Sequence, residues 1–185
     1  GGHLTSPDTQ TNWNGITGRI ELIGYKNAHA ENVMLWCDIH SKTVRVTADI
    51  TGGKRGKAVI SAESFNSEKN HTPAVQSFEY TDGKLDALYK MGDDCLLWSE
   101  HEPNLYKLKI DIDGDVSEHI IGMREFRTEG GKFTINGEKT FLRGKHDGMI
   151  FPKTAFAPTD LEEWLRIMKI SKSYGMNHYR YHTCC

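Results

Sequence analysis

Several features are missing from this chain of 185 residues, and their absence narrows the kinds of protein to consider. No apolar run approaches the ~20 residues that a membrane-spanning helix requires. The first stretch, GGHLTSPDTQTNWNG, lacks the basic and apolar regions of a signal peptide. The 23 basic and 25 acidic residues form no basic stripe and give a net charge of −2, so we expect no nucleic-acid partner.

Cysteine is also scarce, and the few cysteines follow no recognisable pattern. The four match no C-x-x-C motif and are too few for a disulfide scaffold: Cys37, Cys95, Cys184 and Cys185. They therefore do not define the redox compartment. The remaining composition, 37% hydrophobic and 26% charged, is typical of a globular protein.

Two stretches suggest a metal site, but neither has the right spacing. In HYRYHTCC, His178 and His182 would lie roughly 13 Å apart on a strand that rises ~3.3 Å per residue, too far to share one ion. The two adjacent cysteines are poorly placed to chelate zinc. Three alternating aspartates around Gly114 lack the further ligands of an EF-hand, so a turn is favoured there: Asp111, Asp113 and Asp115. We expect neither a metal nor a cofactor.

The middle of the chain, residues 26–127, carries repeated strand signals. In KTVRVTADI, apolar residues alternate with polar ones, which is the pattern of a half-buried strand. KAVISAES, VQSFEYTD, LYKLKIDID and SEHIIGMREF follow, separated by turn dipeptides such as Asp82–Gly83 and Asp113–Gly114. About seven short strands at this spacing predict an immunoglobulin-like β-sandwich. Residues 1–25 contain a single strand signal, ITGRIELIGY, which must pair with something outside that segment.

From residue 128 onward the pattern changes to that of a βαβ unit. KFTINGEKTFLRG predicts two strands joined at Asn136–Gly137, a dipeptide suited to a type I′ turn. A helix follows, with Thr159 and Glu162 as its capping box and Gly175 at its C-terminal end. Its apolar face is formed by Leu161, Trp164, Leu165 and Met168. MNHYRYH then predicts a strand parallel to the one before the helix. Because parallel sheets need both faces covered, we expect further βα units beyond Cys185, as in an internal piece of a larger protein.

Several of these stretches together resemble glycoside hydrolase family 2, the β-galactosidase, β-glucuronidase and β-mannosidase group. NGITGRIEL is similar to the closing strand of that family's N-terminal jelly roll. LLWSEHEPNLYKLKI resembles its LW-Ser-Pro stretch, with Glu100 and His101 as departures. IGMREFRTEGGKFTINGEKTFLRGKHD and MNHYRYH resemble the entry into a (β/α)8 barrel and its second strand. The resemblance extends from about Asn14 to Cys185.

The resemblance implies three domains and an enzymatic parent. Residues 1–25 would close a jelly-roll sugar-binding domain, residues 26–127 would form the sandwich, and residues 128–185 would begin a TIM barrel. The parent would hydrolyse β-glycosidic bonds with retention, using two glutamates, one of which follows an asparagine. This chain has no Asn-Glu dipeptide, so we assign no catalytic residue and expect it to be inactive alone. The same resemblance implies a periplasmic or secreted location, a carbohydrate substrate and contacts with flanking domains.

Barrel active sites lie at the carboxyl ends of the strands, which singles out four residues as a substrate-binding wall: His146, Asp147, Arg180 and His182. His178, Arg180 and His182 should share one strand face, and an inward arginine should need a carboxylate partner. The resemblance implies that Arg180 supports the nucleophile. We expect Trp36, Trp98 and Tyr106 to be buried anchors rather than a sugar-stacking platform.

Two alternative functions remain open. The chain could be a non-catalytic immunoglobulin-like module that binds carbohydrate or protein, which accounts for residues 26–127 equally well. It could also be a structural linker of another multidomain protein. Neither alternative explains the capped helix and final strand, or the FTINGEKTFLRG stretch.

Overall fold

The computed structural model of the chain describes residue 16 and residues 20–151, 153–154 and 157–182. The chain divides into two compact units, which we name the sheet unit (Ile23–Thr140) and the helix unit (Gly1–Leu22 with Phe141–Cys185). The strands of the sheet unit are β1 (His29–Asp38), β2 (Thr43–Thr51), β3 (Arg55–Ser64), β4 (Gln76–Thr81), β5 (Lys84–Lys90), β6 (Tyr106–Ile112), β7 (Asp115–Ile121), β8 (Phe126–Glu129), β9 (Lys132–Ile135) and β10 (Glu138–Thr140). The helix unit contains β11 (Gly144–Asp147), α1 (Leu161–Ser173) and β12 (His178–Tyr181).

Seven antiparallel strands form one sheet in the order β1-β2-β5-β4-β3-β6-β7. This is the strand order of an immunoglobulin constant domain, in which one sheet is A-B-E-D and the other C-F-G. The predicted strand number is therefore confirmed. Because β3 pairs with both β4 and β6, the two halves join into a single, nearly closed sheet around a common core instead of remaining separate.

Apolar residues at every second position build this core. On β5 and β6 every second side chain is buried, as expected for strands with one face turned to the interior. The buried side chains of these two strands are Leu85, Ala87, Tyr89, Tyr106, Leu108, Ile110 and Ile112. The turns at Asp82–Gly83 and Asp113–Gly114 have positive φ at both residues and connect adjacent strands, as the sequence predicts.

The three predicted aromatic anchors differ in their environment. Tyr106 is fully buried, and Trp98 is half-buried with the Arg124 guanidinium 4.6 Å from its ring centroid. The prediction is wrong for Trp36, which is 47% exposed. Trp36 lies on the outward face of β1, where no second layer among the described residues covers the indole. Leu88, on the inner strand β5, is exposed on the same face.

Tyr106 begins β6 and ties two loops to the core. Its hydroxyl accepts a hydrogen bond from the Leu96 backbone N–H at 2.8 Å and contacts His71 Nδ1 at 2.7 Å. A tyrosine at the start of strand F, bonded back to the preceding backbone, is a recurrent feature of immunoglobulin-like sandwiches. Burial raises the pKa of Tyr106 and lowers the pKa of His71. Both shifts favour the neutral form of the group in the folded state.

A second, three-stranded sheet has the order β10-β9-β8. Asn136 and Gly137 join β9 to β10 with φ values of 52° and 82°, which confirms the predicted type I′ turn. The Asn136 side chain also makes tertiary contacts. Its Oδ1 accepts from the Glu125 N–H, and its Nδ2 donates to the Trp98 carbonyl, both at 2.9 Å.

The helix unit confirms the predicted strand–helix–strand order with a parallel pair, because β11 and β12 run in the same direction on either side of α1 in sequence. The predicted cap is wrong by one residue. Asp160, not Thr159, is the N-cap, and its side chain accepts from the Glu163 N–H at 2.8 Å. Gly175 closes the helix as predicted, with φ 78° and a bond from its N–H to the Lys172 carbonyl at 2.9 Å.

The apolar face of α1 is present but largely uncovered. Leu161, Leu165 and Met168 are 72%, 45% and 42% exposed. Trp164 is half-buried against Phe151 and Tyr181, with ring centroids 5.9 and 6.3 Å away. No helix among the described residues is long and apolar enough to cross a membrane.

Three of the ten residues of the predicted strand ITGRIELIGY, residues 17–19, lie outside the described residues. Its described members, residue 16 and residues 20–25, form no strand, and Ile20 and Leu22 are exposed. A jelly-roll role for residues 1–25 therefore stays a prediction.

Candidate functional site

The parallel pairing of β11 with β12 sets the geometry of the candidate site. Gly144 lies opposite His178, and His146 lies opposite Arg180. Because side chains alternate along a strand, His178, Arg180 and His182 lie on one side, while Tyr179 and Tyr181 face α1. The structure thus shows the shared face that the sequence predicts.

Three of the four predicted binding residues lie together on the exposed face of this pair. We call His146, Arg180 and His182 the Arg–His cluster. Arg180 Nη1 lies 3.1 Å from His146 Nε2, and the His146 and His182 rings meet edge-to-face with centroids 5.2 Å apart. All three side chains are exposed. The partner of Arg180 that the structure shows is therefore a histidine, where the sequence predicts a carboxylate.

The Arg180 contact also assigns the proton on His146. A guanidinium has only donors, so His146 Nε2 must accept this hydrogen bond. The neutral imidazole then carries its proton on Nδ1. The cluster consequently offers two kinds of donor on one surface: the charged guanidinium fork and a neutral ring N–H. Such donors suit carboxylate and hydroxyl oxygens.

Asp147 lies apart from the other three predicted residues. It is buried, its Oδ2 accepts from Lys145 Nζ at 2.9 Å, and its Oδ1 accepts from the Met149 N–H at 2.9 Å. Burial alone would raise the pKa of Asp147, but the hydrogen bonds from Lys145 and Met149 bring it below its ordinary value. The Lys145 ammonium also lies 5.1 Å from the Tyr179 ring centroid, on the α1 side of the pair. Asp147 is thus part of the support of the site.

The side of β12 that faces α1 holds the strand in place. The Tyr179 hydroxyl is hydrogen-bonded to the Ser171 hydroxyl on the helix, and Tyr181 packs edge-on against Trp164. These contacts fix which face of β12 points away from α1. They therefore orient Arg180 and His182 without touching them.

Sequence reasoning missed two residues that shape the site. Asn177 precedes β12, and its Oδ1 accepts from the Arg143 N–H at 2.8 Å while its Nδ2 donates to the Phe141 carbonyl at 3.1 Å. Gly144 leaves room for the His178 ring, since a Cβ there would lie 2.8 Å from His178 Nδ1. The signals were present: an asparagine just before a strand and a glycine within one.

The described part of the chain contains no group of three or more His, Cys, Asp or Glu arranged to hold a metal ion. Among the described residues, the cluster presents hydrogen-bond donors and contains no pair of carboxylates of the kind that glycoside hydrolysis uses.

Two of the solved structures that this chain resembles in fold are β-glucuronidases. A β-glucuronidase from Faecalibacterium prausnitzii superposes with a TM-score of 0.65 at 17% identity, over 83% of this chain and 24% of that protein. A β-glucuronidase from Parabacteroides merdae superposes with a TM-score of 0.62 at 19% identity, over 84% of this chain and 21% of that one. At such identities the likeness defines the fold: the mainly β architecture found within these glucuronidases.

Sequence comparison then gives the family. Residues 28–124, just over half of the chain, match the model of glycosyl hydrolases family 2, and the chain belongs to that family. A β-galactosidase of Leuconostoc mesenteroides is 24% identical over 156 residues, which are 77% of this chain and 15% of that protein. A β-galactosidase of Bifidobacterium adolescentis is 25% identical over 178 residues, 90% of this chain and 17% of that protein. The chain thus spans about a sixth of these relatives.

Proposed function

We propose that this chain serves as part of a retaining glycoside hydrolase that cleaves β-linked sugars. The seven-stranded sheet would be the spacer domain of that enzyme, and β11, α1 and β12 would begin its (β/α)8 barrel. Family membership and the β-galactosidase and β-glucuronidase relatives support the reaction class. The parallel pair, joined through a helix, has the connectivity with which such a barrel starts.

One observation carries the assignment of the site: the Arg–His cluster lies at the carboxyl ends of two adjacent parallel strands. His146 is the third residue of β11, Arg180 the third residue of β12, and His182 follows that strand directly. In (β/α)8 enzymes this edge of the barrel holds the substrate. If these three side chains lay in the middle of a strand or on its helix-facing side, their position would not indicate contact with a substrate.

Each residue of the cluster has a role that follows from its chemistry. Arg180 would bind a carboxylate of the active site and hold it ionised, since a guanidinium beside a carboxyl lowers the pKa of that group. His146 and His182 would donate to sugar hydroxyls at the rim. Asp147, buried and paired with Lys145, would position the end of β11 instead of contacting sugar.

The reaction itself would use two glutamates from elsewhere in the enzyme. In the retaining mechanism the carboxyl groups lie ~5–5.5 Å apart, one attacking the anomeric carbon and the other acting first as acid and then as base. We therefore expect the 185-residue chain to show no turnover of chromogenic β-galactosides, β-glucuronides or β-mannosides. Robust turnover by the purified chain would contradict the proposal that both catalytic glutamates lie outside it.

The decisive experiment uses the longest polypeptide encoded by the gene. We expect it to hydrolyse one of these glycosides with retention of anomeric configuration, followed by NMR. Arg180→Ala should lower kcat/KM by about 100-fold or more, the usual effect of removing an electrostatic partner of the reacting groups. Arg166→Ala removes an exposed arginine that pairs with Glu163 on α1 and should leave kcat/KM unchanged. An inverted product, or full activity of Arg180→Ala, would refute the proposal.

A further inference from the structure

The outer face of β1, β2 and β5 departs from the usual polar surface of an antiparallel sheet. Three large apolar side chains are exposed there: Met34 at 54%, Trp36 at 47% and Leu88 at 54%. Such sheets commonly turn a polar face to solvent. Trp36, Arg45 and Leu88 lie in register across the three strands, so their side chains form one row about 10 Å long at ~4.8 Å per strand.

Arg45 and Asp86 make the middle of this row polar and fixed. Arg45 donates from Nε and Nη2 to the two carboxylate oxygens of Asp86 at 2.9 and 2.7 Å, a bidentate pair. The same guanidinium lies 5.7 Å from the centre of the Trp36 ring. Asp86 thus holds Arg45, and Arg45 holds the indole. The three side chains are preorganised, which reduces the entropic cost of binding a ligand.

We propose that this row, centred on Trp36, Arg45 and Asp86, is a second carbohydrate-binding surface that takes an uncharged glycan chain, whose β linkage is assigned on the basis of the proposed function. A pyranose ring has an apolar face of C–H groups and a rim of hydroxyls. The indole and the flanking Met34 and Leu88 match the apolar face, while the Arg45–Asp86 pair offers donors and acceptors for neighbouring hydroxyls. The charges of the pair cancel, so an uncharged ligand fits better than an anionic one.

Other occupants fit this face less well. A stable protein interface buries about 800 Å² on each partner, whereas this row is three apolar side chains interrupted by charged ones. The chain's net charge of −2 gives no attraction for nucleic acid or an acidic membrane. The surface belongs to the sheet unit and is independent of the Arg–His cluster. It would hold a polymeric substrate near the enzyme without taking part in the chemistry.

Affinity gel electrophoresis of the whole 185-residue chain tests this surface. The native gels contain a β-linked galactan, a β-linked mannan or, as an α-linked control, dextran. We expect at least one β-glycan to retard the chain and dextran to have no effect. Trp36→Ala should weaken the retardation about tenfold, the factor for losing one aromatic contact, while Trp36→Phe should retain part of it.

Val59→Ala is the matched control, because Val59 is 36% exposed on β3, a strand that contributes nothing to the row. It should leave the retardation unchanged, and thermal unfolding verifies that each variant is folded. Equal mobility in all gels, or retardation that Trp36→Ala does not affect, would overturn the proposal. So would a dimer that dissociates in Trp36→Ala, since the occupant would then be a second copy. None of these outcomes bears on turnover by the longer polypeptide, so the hydrolase proposal is tested separately.

Discussion

The sheet unit and the helix unit use the same apolar residue types with opposite results. All hydrophobic side chains that are buried among the described residues lie between Ala28 and Met123, in the sheet unit. In the described part of the helix unit the buried side chains are those of Asp147 and Ser171, both polar. A curled antiparallel sheet covers its own inner face, so alternation alone builds a core. A βαβ unit exposes one face of its strands and one side of its helix until further layers cover them.

Shortening a leucine side chain should reveal the largest difference between the two units in the free energy of unfolding. Leu108→Ala, at a fully buried position of β6, should lower the free energy of unfolding by about 2–5 kcal/mol because it leaves a cavity. Leu161→Ala, the same change at a position 72% exposed on α1, should stay within about 0.5 kcal/mol. Urea titration followed by circular dichroism measures both. Similar losses of unfolding free energy in the two variants would contradict the difference in burial between the two units.

The helix cap offers a smaller and more local change. Asp160→Ala should destabilise α1 by about 1 kcal/mol, because the Glu163 N–H loses its acceptor. Amide hydrogen exchange in the first turn of α1 should accelerate, while exchange in β2, β5 and β6 stays unchanged. Thr159→Ala is the control and should have no effect. If Thr159 proved to be the sensitive residue, the helix would begin one residue earlier than the structure shows.

Acid should weaken the two units in different pH ranges. Burial lowers the pKa of His71, so the folded state favours its neutral form. Stability from this group is present above about pH 6.5, the ordinary value, and is lost as pH falls from there toward the lowered pKa. Asp147 also has a lowered pKa, and its stabilisation is lost only at more acidic pH, below about 3.8.

His71→Gln should therefore flatten the decline in stability of the sheet unit below about pH 6.5, as measured by urea titration at several pH values. An unaltered slope in His71→Gln would mean that another group, such as the partly buried His119, carries the effect.

Changes on the uncovered side of α1 should alter the surface properties of the chain more than its stability. Replacing Leu165 and Met168 by Lys should change the free energy of unfolding by less than about 1 kcal/mol in total, since both are more than 40% exposed. It should, however, reduce binding of a hydrophobic dye and any self-association of the chain. If dye binding did not change in this double variant, the dye would bind to an apolar surface other than this side of α1.

Local signals in the sequence predicted the parts of the fold that depend on neighbouring residues. The alternation in KTVRVTADI defines β2, and Asn136–Gly137 and Gly175 adopt the positive φ values that their positions require. The exposure of Trp36 could not be predicted, because VMLWC places apolar residues on both faces of β1 and the pattern does not show which face turns outward. The pairing of Arg180 with His146 also depends on strand register, which the sequence pattern does not contain. Asp160 and Thr159 are both good N-caps, so only the backbone conformation separates them.

The turn between β9 and β10 also bears on how the protein ages in storage. An asparagine followed by glycine is prone to deamidation, because the next backbone nitrogen can attack the side-chain amide and release ammonia. In the folded chain the Asn136 amide is held by the Glu125 N–H and the Trp98 carbonyl, and that attack requires it to rotate away from both. Folding should therefore slow the deamidation of Asn136. Peptide mass spectrometry should detect faster conversion of Asn136 in denaturant than in the folded chain. Once formed, an aspartate would face the Trp98 carbonyl with an acceptor where a donor is needed, so chemical damage here would be coupled to loosening of the turn.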